Sequence, residues 1–101
     1  MEVIDSISRN KVDELKGSLN SPNLWEISRG FGGVTFFLYT DQQVKNYKES
    51  KMIKEWSDKF FSLLEPYNEF GYFKRKEFLI SLDSKENFDN NYESNWFYYY
   101  K

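Results

Sequence analysis

A chain of 101 residues with a formal net charge of −2 has room for one domain with one core, and its charge argues against extended contact with nucleic-acid phosphates. It contains no Cys, His or Ala, which excludes a disulfide framework, a thiolate nucleophile, Cys- or His-ligated zinc and imidazole acid–base chemistry. Aromatic residues make up 21% of it, and at roughly 150–250 Å² buried per ring they let a 40% hydrophobic fraction sustain a core.

Ile4, Ile7, Val12, Leu15 and Leu19 recur at helical spacing and predict a helix over about 4–19, stopped by Gly17 and the Asn20-Ser-Pro22-Asn23 turn. A short strand over 24–28 follows. Arg29-Gly-Phe-Gly-Gly33 reads as a tight connection between strands, since glycine supplies the positive φ such turns require. The densest β pattern is Val34–Tyr39, with Val34, Phe36 and Leu38 on one face and Thr35, Phe37 and Tyr39 on the other. Thr40 or Asp41 can cap a helical region running to about Glu65, with Ile53, Trp56, Phe60, Leu63 and Leu64 as its apolar stripe. Whether that region is one helix or two, broken near Ser50, stays open.

Residues 67–77 read as an aromatic and basic loop, and Glu77–Leu82 as a strand with Phe78, Ile80 and Leu82 facing the core. Asp83-Ser84 can cap a short helical turn to about Asn90, and residues 95–100 predict a last strand. The expected fold is a single α+β domain spanning 1–101, an antiparallel sheet of about four strands with two main helices on one face. No apolar run approaches the roughly 20 residues of a membrane helix. With no signal peptide visible at Met1–Ser6, the expected location is the cytoplasm.

Catalytic chemistry finds little footing. Asp83, Glu86 and Asp89 could bind a cation or act as acid and base, yet they lack the spacing and glycine of a calcium loop, and a helix cap with solvated neighbours is the ordinary meaning. Arg29–Gly33 lacks both the full phosphate-loop fingerprint and a following helix. Lys74-Arg-Lys76 beside Tyr72 and Phe73 could stack on and pair with single-stranded nucleic acid, but most such clusters are solvated loop charge. No catalytic residue, metal site or cofactor is expected.

The tail Asn95-Trp-Phe-Tyr-Tyr-Tyr-Lys101 carries more. Five successive rings exceed what one strand face can bury. AT-rich coding and plain packing account for part of them. On a strand, Phe97 and Tyr99 would face the helices, while Trp96, Tyr98 and Tyr100 would face outward as binding anchors. The acidic Asp83, Glu86, Asp89 and Glu93 alongside would steer a basic partner.

The pattern Asp83-Ser-x-Glu-Asn-Phe-Asp89 followed by Asn95-Trp-Phe-Tyr-Tyr99, in a small acidic domain, resembles immunity proteins of bacterial polymorphic-toxin and contact-dependent growth-inhibition systems. The likeness covers mainly residues 77–101. It implies a non-enzymatic cytoplasmic protein that neutralises a cognate toxin domain, such as a nuclease, by stoichiometric binding. The alternative is a carbohydrate- or small-ligand-binding module using exposed rings. An aromatic edge strand could also pair with a second copy to form a homodimer.

Overall fold

The computed structural model describes residues 7–30, 33–68, 71 and 74–100. The expected helix start at residue 4, Phe31 and Gly32 of the glycine-rich turn, Tyr72 and Phe73, and Lys101 lie outside the described residues.

Helix α1 (Arg9–Leu19) begins after Ser8, whose hydroxyl oxygen accepts the Lys11 N–H, and ends at Asn20 with φ 48°. Ser satisfies a free terminal N–H, and Asn tolerates the left-handed conformation that closes a helix. Ile7, expected within the helix, precedes it and is still buried.

Strands β1 (Leu24–Gly30) and β2 (Gly33–Leu38) form an antiparallel hairpin in which Gly30 faces Gly33. Leu24 pairs with Leu38 but Glu26 with Phe37, so Trp25 is the extra residue of a bulge. The bulge lets Leu24 and Ile27, three residues apart, both enter the helical core. It also sets Trp25 against Phe37 on the opposite face, edge to face at 5.8 Å.

Thr40 starts α2 (Asp41–Lys48) with a capping box, accepting the Gln43 N–H while Gln43 Oε1 accepts the Thr40 N–H. The region 41–65 is two helices. Ser50 makes the break: its hydroxyl donates to the Tyr47 carbonyl at 2.9 Å, and its oxygen accepts the Met52 N–H at 3.1 Å. Helix α3 (Met52–Leu64) buries Trp56, Phe60, Phe61 and Leu64. Pro66 follows inside a single 3-10 turn, Glu65–Tyr67.

Strand β3 (Ser81–Ser84) pairs with β2 in parallel, giving the order β1-β2-β3. The expected antiparallel sheet of about four strands is therefore corrected to a mixed sheet of three among the described residues. The physical reason is the long helical connection, which returns the chain to the end where β2 began. Phe78, Ile80 and Leu82 are buried as expected, but pairing with β2 is confined to 81–84. The Ile80 N–H goes to the buried Ser57 hydroxyl at 2.9 Å.

Val34, Phe36 and Leu38 pack with Val12, Trp56, Phe60 and Leu64 in the main core. Phe36 stacks on Trp56 at 5.4 Å. On the other face, Phe37 meets α4 (Lys85–Asn91) and α5 (Trp96–Tyr99). The domain is α+β, with helices on both faces of the sheet rather than on one.

Candidate interaction surface at the C-terminal aromatic helix

The tail expected as a strand over 95–100 is a helical turn. Its neighbours decide this. Ser84 caps α4 by accepting the Asn87 N–H at 2.8 Å, and α4 ends at Tyr92. Glu93 and Ser94 then take left-handed φ values of 54° and 55°, which reverses the chain. Asn95 Oδ1 accepts the N–H groups of Phe97 and Tyr98 and starts α5.

Helical spacing changes which rings share a face. Residues 96, 99 and 100 stand at i, i+3 and i+4 and point together. Trp96 packs 4.2 Å from Phe88, stacks on Trp25 at 6.2 Å with the planes 7° apart, and meets Phe37 edge to face at 5.2 Å. Tyr99 lies 5.3 Å from Phe37 and donates its hydroxyl to Asp83 Oδ2 at 2.5 Å. Tyr100 stacks on Trp96 at 6.0 Å and hydrogen-bonds the Ser28 hydroxyl. Gly30 makes room for that ring: a Cβ there would lie 2.7 Å from Tyr100 Cδ1 and 2.8 Å from Cζ.

The expected facing of the tail is thus corrected at three rings. Phe97, expected inside, is the most exposed ring among the described residues at 70%, and Tyr98 stands outward beside it at 45%. Trp96 and Tyr100, expected outward, hold α5 to the sheet, with Trp96 keeping 36% of its surface in solvent. Burial raises the hydroxyl pKa of both Tyr99 and Tyr100, and for Tyr99 the hydrogen bond to Asp83 adds to it.

The four acidic residues part ways. Asp83 is half-buried, accepting from Tyr99, from Asn87 Nδ2 at 3.0 Å and from the Ser84 N–H at 2.8 Å. Glu86 Oε1 accepts the Asp41 N–H at 2.9 Å, and Asp41 accepts from the Ser84 hydroxyl at 2.5 Å. Two helix N-termini therefore meet with carboxylates between them, where the helix dipoles favour negative charge. Asp89 pairs with Lys85 at 2.7 Å and accepts from Ser94 at 2.6 Å, and these bonds lower its pKa. Glu93 is exposed at the reversal.

Sequence reasoning missed Trp25, Ser28 and Gly30 as the seat of the tail. Trp25 was readable only as a strand residue, because the bulge that turns it is a tertiary feature. An open groove of about 320 Å³ lies beside this seat, lined by Arg9, Glu26, Ser28, Arg29, Trp96 and Tyr100. Arg9 is committed there to Glu26 at 2.8 Å and Asp13 at 3.1 Å. In the basic run, Arg75 is held by Asp58 at 2.5 Å and lies over the Phe61 ring at 4.8 Å. Among the described residues no three acidic side chains gather to hold a metal ion, and no helix is long and apolar enough to cross a membrane. Comparison with protein-family models, curated proteins and solved structures finds no match to this chain.

Proposed function

We propose that this domain is a stoichiometric protein-binding module of the immunity type, which neutralises a cognate bacterial toxin domain, with a nuclease as the leading class. One observation carries the reading: Phe97 and Tyr98 project from a helical turn whose other rings, Trp96, Tyr99 and Tyr100, fasten it to the sheet. Rings held in place lose little freedom on binding, and exposed aromatics are frequent hot spots. The binding surface is therefore centred on Phe97 and Tyr98. Trp96 and Tyr100 serve mainly to present them, and Glu86, Asp89 and Glu93 form the acidic rim that meets a basic cleft.

The test is titration of the domain with the toxin domain encoded beside it. A tight 1:1 complex is expected, with Phe97→Ala and Tyr98→Ala each weakening it by about thirtyfold or more while the fold is retained. Absence of a complex refutes the function. A complex indifferent to both substitutions refutes the surface.

A further inference from the structure

Beyond that reading, we propose that α5 can be exchanged between two copies of this chain, each copy's Trp96, Tyr99 and Tyr100 docking on the Trp25–Phe37–Phe88 face of the other. The hinge is the first reason. Glu93 and Ser94 are consecutive residues with side chains at φ 54° and 55°, a conformation that crowds Cβ against the backbone. Extension of the hinge relieves both. Strained short hinges favour exchange because the open form regains the same contacts in trans.

The docking seat is the second reason. A four-residue helix has no stability of its own, so α5 exists through its contacts with the sheet. Those contacts are specific: the Ser28 hydroxyl, the Asp83 carboxylate, the Trp25 ring and the space over Gly30. A second copy offers an identical seat. Against exchange stand the bonds that exist only in the closed hinge, Ser94 N–H to the Phe88 carbonyl at 3.1 Å, Asn95 N–H to the Tyr92 carbonyl at 2.9 Å and Ser94 Oγ to Asp89. The closed monomer therefore prevails when dilute, and the exchanged dimer grows with concentration. Pairing of β3 edges is a poorer route to a dimer, since side chains already take the N–H of Ser84 within the strand and of Ile80 just before it.

The experiment is sedimentation equilibrium on the full chain from micromolar to millimolar concentration, with two hinge variants. Wild type is expected to dimerise in that range. Glu93→Gly removes a strained side chain from the closed form and is expected to weaken dimerisation about tenfold or more. Ser94→Pro cannot adopt φ 55° and is expected to shift the equilibrium to a dimer that keeps the packed aromatic near-ultraviolet circular dichroism. A wild type that stays monomeric at millimolar concentration overturns the proposal. So does a dimer whose constant is unmoved by Glu93→Gly, or a Ser94→Pro chain that is monomeric.

Discussion

Replacing Trp96 and Phe97 separately by Ala distinguishes a docked helical turn from a strand, because the two arrangements rank the residues in opposite order. Trp96 is 36% exposed, so about two-thirds of a large ring is covered, on the order of 150 Å². At about 25 cal/mol per Å² this is worth roughly 3–4 kcal/mol, reduced to about 2–3 kcal/mol because unfolded chains already shelter some surface. Phe97 at 70% exposure covers only about 60 Å², worth roughly 1 kcal/mol. Urea unfolding followed by far-ultraviolet circular dichroism should therefore show Trp96→Ala losing about 1–2 kcal/mol more than Phe97→Ala. In a strand that buries residues 97 and 99, the larger loss would fall on Phe97. Equal losses, or a larger loss at Phe97, would refute the helical docking of the tail.

Gly30→Ala places a methyl group within 3 Å of the Tyr100 ring, so the ring or the strand beneath it must shift; a loss of about 1–3 kcal/mol is expected by urea unfolding, and much less in a Tyr100→Ala background. Ser57→Ala leaves the Ile80 N–H buried without its acceptor, and the expected cost is about 1–3 kcal/mol, measured the same way. Tyr99 has a hydroxyl pKa raised above 10 by burial and by Asp83, so the folded state holds its proton more tightly than the unfolded state. That contribution is fully present below pH 10 and is lost as pH rises beyond it. Denaturant titrations between pH 8 and 11 should show wild type losing stability more steeply above pH 10 than Tyr99→Phe, and parallel curves would refute the assignment.

Local patterns carried much of the fold into view. Ser8, Thr40 and Ser84 cap helices because a side-chain oxygen near a helix start has few better uses, and two of these three positions were readable as caps. Alternation along Val34–Leu38 put Phe36 and Phe37 on opposite faces, and the structure has Phe36 in the helical core and Phe37 against Trp25. What was hidden depends on partners distant in sequence. The direction of β3 follows from where α3 releases the chain, and the bulge at Trp25 from the register with Phe37. The tail misled because aromatic residues favour strands only when a neighbouring strand supplies hydrogen bonds. Here Asn95 supplies a cap instead, and the open sheet face rewards three rings at helical spacing.

The second face of the sheet also changes what the acidic segment means. Counted along the chain, residues 77–101 hold five acidic and two basic side chains, which suggests a strong field for a basic partner. In space, Glu86 takes a backbone N–H at the start of α2, Asp83 takes the Tyr99 hydroxyl, and Asp89 is paired with Lys85. Much of that charge is matched by helix dipoles and donors before any partner arrives, so steering is weaker than the count implies. Recognition through this surface must then lean on Phe97 and Tyr98. Its affinity should fall only modestly between low and physiological salt, where an interface driven mainly by those carboxylates would lose most of its strength.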